Sequence, residues 1–133
     1  MEQPTLRQGL IDTDILIDAS RGLVQSGAFL NEMLGAGSID ISAITAMELV
    51  AGCRDSAHLV NVKELLNRFN VLPLTEAVSG RAQALMEMFA LSNGLGIPDA
   101  LIAATALQSG IALYTRNIRH FKMIPELLII QPY

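Results

Sequence analysis

Short segments rich in apolar residues alternate along the chain with longer segments in which apolar residues recur every three or four positions. The short segments, each of which predicts a strand, are 9–12, 39–42, 71–74, 111–115 and 127–130. The longer segments, each of which predicts a helix, are 13–20, 23–35, 45–52, 55–69, 75–92 and 99–108. Strands and helices therefore alternate over most of the chain.

This alternation predicts an α/β fold. Short apolar strands separated by helices are typical of parallel strands joined by crossover helices. Such strands are buried on both faces, which explains why they are continuously apolar. We expect one domain over residues 1–133, a three-layer α/β/α arrangement with about five mainly parallel strands. Ligands of such sheets bind outside the carboxyl ends of the strands, so the residues that follow the strands are the functional candidates.

The composition narrows the class of protein. Hydrophobic residues make up 51% and charged residues 17% of the chain, which excludes a disordered protein. A net charge of −4 argues against a general basic nucleic-acid platform, but not against an enzyme that acts on nucleic acid through a metal ion. Cys53 is the single cysteine, so no internal disulfide forms. We expect a cytoplasmic protein, since neither a signal peptide nor a membrane span is visible.

Acidic residues stand at several of the predicted element boundaries. Asp12 and Asp14 follow the first strand, Glu48 lies in the helix after the second strand, and Asp99 opens the last long helix. Each acid also has a purely structural explanation. Asp12 or Asp14 can cap a helix, Glu48 can form a capping box with Thr45, and Asp99 can complement a helix dipole.

Taken together, these acids predict a metal site. Carboxylates that converge at one sheet edge repel one another, and a bound divalent cation removes this conflict. Oxygen ligands without His or Cys suit Mg²⁺ or Mn²⁺ rather than Zn²⁺. Because such a site activates water and neutralises charge on phosphate, hydrolysis of a phosphodiester is the natural chemistry.

Four segments of the chain resemble, in order, the motifs of the PIN-domain family. They are LIDTDILI at 10–17, ITAMEL at 44–49, IPDALIAATA at 97–106 and LYTRNIRHF at 113–121. More narrowly, the chain is similar to VapC-type toxins of bacterial toxin–antitoxin pairs, over about residues 9–131. The resemblance implies an Mg²⁺-dependent endoribonuclease that hydrolyses RNA phosphodiester bonds with a metal-activated water.

The resemblance also implies roles for individual residues. It places Asp12, Glu48 and Asp99 as catalytic and metal-binding acids, with Mg²⁺ as the cofactor and Mn²⁺ as the alternative ion. In the proposed reaction, water attacks in line, a 3′-hydroxyl leaves and a 5′-phosphate remains.

Five further residues are assigned supporting roles. Asp14 adds negative charge, and Thr115 matches a family hydroxyl near the metal. Asn117 stands where the family often has a fourth acid, so we expect a second cation to bind less tightly there. Arg116 and Arg119 are candidate contacts to RNA phosphates, with a solvent-exposed surface role as the alternative.

The expected partners also follow from the resemblance: an RNA substrate, a cognate antitoxin that covers an apolar groove, and a second copy in a homodimer. The mean hydropathy of +0.42 agrees with surface covered by a partner. Two alternatives stay open. One is a catalytically degenerate PIN-like binding module. The other is a haloacid-dehalogenase-like phosphatase, because an Asp12-Thr13-Asp14 sequence after a strand resembles the nucleophile motif of that family.

Overall fold

The computed structural model describes residues 8–37 and 39–133, which form five strands and seven helices. The strands are β1 (Gly9–Ile11), β2 (Asp40–Ser42), β3 (Asn70–Leu72), β4 (Ala112–Tyr114) and β5 (Ile129–Ile130). The helices are α1 (Thr13–Ser20), α2 (Val24–Ala36), α3 (Ala43–Ala51), α4 (Ser56–Leu66), α5 (Glu76–Asn93), α6 (Ile97–Ser109) and α7 (Ile118–Phe121). Among these helices, none is long and apolar enough to cross a membrane.

All strand pairs of the sheet are parallel, and the strand order is β3-β2-β1-β4-β5. The central strand is β1, in which Leu10 is in register with Asp40 of β2 and Ile11 with Tyr114 of β4. The order reverses at β1, since β2 and β3 lie on one side of it and β4 and β5 on the other. A reversal of this kind opens a crevice at the carboxyl ends of the strands.

Helices cover both faces of the sheet. Successive strand residues point to opposite faces, so Leu10 belongs to one apolar core and Ile11 to the other. Leu10 packs with α5 and α6 through residues such as Leu85, and Ile11 packs with α1 and α2 through residues such as Phe29. The predicted three-layer α/β/α fold with about five parallel strands is therefore confirmed.

The start of α3 differs from the prediction. The helix begins at Ala43, two residues before the predicted start at Thr45, because the Ser42 side chain caps it by accepting from the Ile44 amide at 3.2 Å. Thr45 thus lies inside the helix with its side chain buried. The capping box considered for Thr45 and Glu48 does not form.

Other boundaries depend on side-chain caps that the sequence signals correctly. Asp55 accepts a hydrogen bond from the His58 amide at the start of α4, and Thr75 caps α5 through the Val78 amide. The end of α4, at Leu66, comes three residues before its predicted end. Helix α7 is not predicted, because its four residues are too few to show a helical period.

Gly9 is the point of closest approach between β1 and β4. A Cβ atom at this position would lie 2.6 Å from Tyr114 Cδ2 and 2.9 Å from the Ala112 carbonyl oxygen. We expect Gly9→Ala to lower the free energy of unfolding by about 1–3 kcal/mol, because the strands would have to move apart. Urea unfolding followed by circular dichroism measures this change.

The matched control is Gly27→Ala in α2, where an added Cβ meets nothing within 4 Å. This substitution should raise the free energy of unfolding by about 0.5–1 kcal/mol, since alanine favours the helix. Equal effects of the two substitutions would contradict the close β1–β4 approach.

Candidate active site

Asp12 lies at the carboxyl end of the central strand and is the N-cap of α1. Its backbone amide extends the strand pairing by donating to the Tyr114 carbonyl at 2.9 Å. The side chain is only 4% exposed. Its Oδ1 accepts from the Thr13 amide at 2.8 Å, and its Oδ2 accepts from the Thr115 hydroxyl at 2.7 Å. Both carboxylate oxygens are therefore held in fixed positions at the crevice.

Thr115, which follows the neighbouring strand β4, is fully buried and orients this carboxylate. While its hydroxyl donates to Asp12, it accepts from the Asn117 backbone amide at 2.9 Å. The Asn117 side chain is exposed and does not cap α7. Thr115 therefore contacts an acid directly, whereas Asn117 supports the site through its backbone.

Asp14 is a second acid at the same edge. Its Oδ2 accepts from the Arg116 backbone amide at 3.1 Å, while its buried Oδ1 has no hydrogen-bond partner among the residues described. Burial raises the pKa of Asp14, and the hydrogen bond from the Arg116 backbone amide lowers it. The negative charge of Asp14 in turn raises the pKa of Asp12, so the two carboxyl groups lie close enough to interact.

Asp12 is the site residue whose pKa is raised to a value near neutral pH. The pKa of Asp12 is raised from 3.8 to about 7, first by burial and then by the negative charges of Asp14 and Asp99, against the hydrogen bonds from Thr115 and Thr13. The contribution of Asp99 places this distant residue within electrostatic reach of Asp12. Asp12, Asp14 and Asp99 therefore interact electrostatically at the carboxyl edge of the sheet.

Asp99 lies in the first turn of α6, and its Oδ2 is 3.1 Å from His120 Nδ1. Burial raises the pKa of Asp99, whereas the His120 side chain lowers it. Both residues line a cavity of about 360 Å³ together with Arg119 and the 93–96 loop. His120 belongs to the LYTRNIRHF motif but is not among the predicted site residues, because a single histidine after a strand has no spacing that pairs it with Asp99.

Glu48 is connected to the site through the side chain of Thr13. Its Oε1 accepts from the Thr13 hydroxyl at 2.8 Å, and the same hydroxyl lies 3.0 Å from Thr45 Oγ1. Thr13 directly follows Asp12, so one residue connects the two acids. The link between Thr13 and Glu48 spans 35 positions of the sequence, and no local pattern indicates it.

The donor chemistry fits a hard divalent cation. Carboxylate oxygens dominate the site, one buried oxygen of Asp14 lacks a partner, and the acids raise the pKa of Asp12. Within residues 8–37 and 39–133, no three His, Cys, Asp or Glu side chains already form a group that could hold a metal ion. Asp99 is paired with His120 and Glu48 with Thr13, so a cation would compete with these contacts. The assignment of Asp12, Glu48 and Asp99 as ligands stays a prediction.

Comparison with known proteins assigns the family. The PIN domain family matches residues 9–127 of the chain. The chain therefore belongs to the PIN-domain family, as the four sequence motifs indicate.

Its relatives narrow the family to VapC-type proteins. The chain is 38% identical over 119 residues to Ribonuclease VapC10 of Mycobacterium tuberculosis, covering 89% of each protein. It is 34% identical to Ribonuclease VapC19 of the same species, covering 89% of this chain and 95% of the relative. A solved toxin–antitoxin complex from Klebsiella pneumoniae contains a chain with 31% identity and a TM-score of 0.76, covering 95% of this chain and 98% of that one.

The raised pKa of Asp12 predicts an unusual dependence of stability on pH in the absence of metal. The folded protein holds a proton on Asp12 that the unfolded chain releases near pH 3.8, so stability is full below that pH and is lost as pH rises through about 7. The loss is at most roughly 4 kcal/mol for this group. Thermal melts in EDTA between pH 5 and 8 should show a falling midpoint.

Asp12→Asn removes the titrating group, so its melting midpoint should fall less over the same pH range. Glu64→Gln replaces an exposed acid of α4 and should keep the wild-type slope. A wild-type midpoint that stays constant or rises from pH 5 to 8 would contradict the raised pKa.

Proposed function

We propose that the protein is an Mg²⁺-dependent endoribonuclease of the VapC type, and that it acts as the toxin of a toxin–antitoxin pair. The observation that carries the proposal is the burial of Asp12 beside Asp14 and Asp99, since burial and the charges of these acids together raise its pKa to about 7. Relatives named as ribonucleases support RNA as the substrate. The proposal includes hydrolysis of internal phosphodiester bonds.

The charge of the molecule supports a role for a cation. The protein has a net charge of −4, and its candidate site is lined by carboxylates, so the site would repel an RNA phosphate. Asp12 and Asp99 would hold Mg²⁺, with Glu48 and Asp14 completing the negative charge around it. When bound, the ion would activate water and neutralise charge on the phosphate.

The protein residues would orient the reacting groups. Thr115 and the Thr13 amide hold the two Asp12 oxygens in place, and the Thr13 hydroxyl holds Glu48. Glu48 is the carboxylate that we assign to take a proton from the attacking water. In-line attack on phosphorus would break the bond to the 3′ oxygen and leave a 3′-hydroxyl and a 5′-phosphate.

We also propose a protein partner and a homodimer. The related Klebsiella pneumoniae structure is a toxin–antitoxin complex, which supports an antitoxin partner for this chain. Exposed apolar side chains on α5 and at the start of α6 support a contact surface for a second copy of the chain. Met88 is 59%, Leu91 103% and Ile97 65% exposed. Met88 and Leu91 are three residues apart and share one helix face.

The proposed activity is tested by substituting individual acidic residues of the site. Asp12→Asn and Asp99→Asn should each reduce Mg²⁺-dependent cleavage of single-stranded RNA by at least about 100-fold, because each removes a charge that would hold the cation. Cleavage of a labelled RNA panel, resolved on denaturing gels with and without EDTA, measures this loss.

The matched control is Glu64→Gln, an exposed acid on α4 that should retain full activity. Circular dichroism must show that the inactive variants are folded. Cleavage in excess EDTA, or full activity of Asp12→Asn, would overturn the metal-dependent mechanism. Absence of cleavage by the metal-loaded wild-type protein would favour the degenerate binding module instead.

A further inference from the structure

The Arg116 side chain lies beside the acidic site and is stacked on an aromatic ring. Its guanidinium carbon is 4.7 Å from the centre of the Tyr133 ring. The Arg116 backbone amide donates to Asp14, so the start of this side chain is anchored at the edge of the site. Arg116 is thus fixed at two points, by its backbone to an acid and by its cation to a ring.

The Tyr133 ring is itself held by the protein. Its hydroxyl donates to Asp18 Oδ2 at 3.0 Å, and its ring centre is 6.4 Å from that of the core residue Phe29. Burial and the hydrogen bond to Asp18 raise the pKa of Tyr133 to about 12, so the hydroxyl stays a donor at neutral pH. The ring is therefore a fixed surface for the guanidinium.

The stacked guanidinium keeps its hydrogen-bond donors free. Arg116 is exposed, and among the residues described its side chain forms no ion pair with a carboxylate. A guanidinium that stacks on an aromatic face presents its N–H groups around the edge of its plane, where they suit a phosphate. An arginine that is ordered in advance loses less conformational entropy when it binds.

We propose that Tyr133 is a positioning residue that holds the Arg116 guanidinium at the rim of the acidic site to bind an RNA backbone phosphate. The inference rests on the proposed ribonuclease function and assigns part of its substrate contact. Arg116 provides the positive charge, and Tyr133 holds that charge in position, so the two residues act as one unit.

The test compares Arg116→Gln, Tyr133→Leu, Tyr133→Phe and the double variant Arg116→Gln/Tyr133→Leu in RNA cleavage with Mg²⁺. Arg116→Gln and Tyr133→Leu should each raise KM by about three- to tenfold and change kcat less than twofold, because only a phosphate contact is lost. Tyr133→Phe keeps the aromatic face and should stay within about twofold of wild type. The double variant should be no weaker than Arg116→Gln alone.

RNA binding is measured separately in the Asp12→Asn background, where it does not depend on cleavage. Fluorescence anisotropy at several salt concentrations should show weaker binding for Arg116→Gln and Tyr133→Leu. The slope of log affinity against log salt should fall by about 0.7, the value for one phosphate contact on a single strand. The control Arg81→Gln removes a cation that is paired with Glu126, and it should leave both measurements unchanged.

A structural measurement completes the test. The Arg116 side-chain protons should show an upfield ring-current shift in NMR spectra, which Tyr133→Phe retains and Tyr133→Leu abolishes. Unchanged RNA affinity in Arg116→Gln would overturn the inference even if the protein is a ribonuclease. This holds also if the variant binds a protein partner more weakly. The inference would also be overturned if Tyr133→Leu still weakened RNA binding in a protein that already carries Arg116→Gln. If the wild-type protein binds RNA but does not cleave it, only the proposed ribonuclease function fails.

Discussion

The burial of the Asp12 carboxyl group beside other acids is the constraint on which the rest of the site depends. Asp12 is 4% exposed at the end of the central strand, and burial together with the charges of Asp14 and Asp99 raises its pKa to about 7. Carboxyl groups with strongly perturbed pKa values cluster at functional sites, which makes this edge of the sheet the functional candidate. The parallel sheet makes this possible, because it brings the carboxyl ends of distant segments to one edge.

The surrounding structure holds these acids in place without neutralising them. The Thr115 hydroxyl and the Thr13 amide occupy both Asp12 oxygens, and the Thr13 hydroxyl reaches Glu48. Neutral donors of this kind fix the direction of a carboxylate and lower its pKa modestly, whereas a lysine or arginine would cancel its charge. The backbone hydrogen bond from the Asp12 amide to the Tyr114 carbonyl serves the same end, since it joins the strand ends that carry Asp12 and Thr115.

The sequence predicts the sheet and the central acids well, because these depend on local patterns. Apolar strands and side-chain caps such as Asp55 and Thr75 are signals within a few residues, and Asp12 follows directly from its strand. The contacts that complete the site are not local. His120 meets Asp99, and Tyr133 meets Asp18 across 115 positions, so only the folded chain brings these pairs together. The predicted start of α3 is wrong for a similar reason. Ser42 and Thr45 are both residues that cap helices well, and only the folded chain decides between them.

The Arg116 and His120 side chains lie near the acids without pairing with Asp12. The Arg116 guanidinium is stacked on Tyr133 instead of forming an ion pair with Asp14, and His120 contacts Asp99 without reaching Asp12. Among the residues described, Asp12 and Asp14 thus form no ion pair, although the Arg116 guanidinium lies close by. The contact with Tyr133 holds the Arg116 guanidinium while the Arg116 backbone amide bonds to Asp14. A negative pocket with a cation beside it is the combination that a metal-dependent site for a polyanion would need.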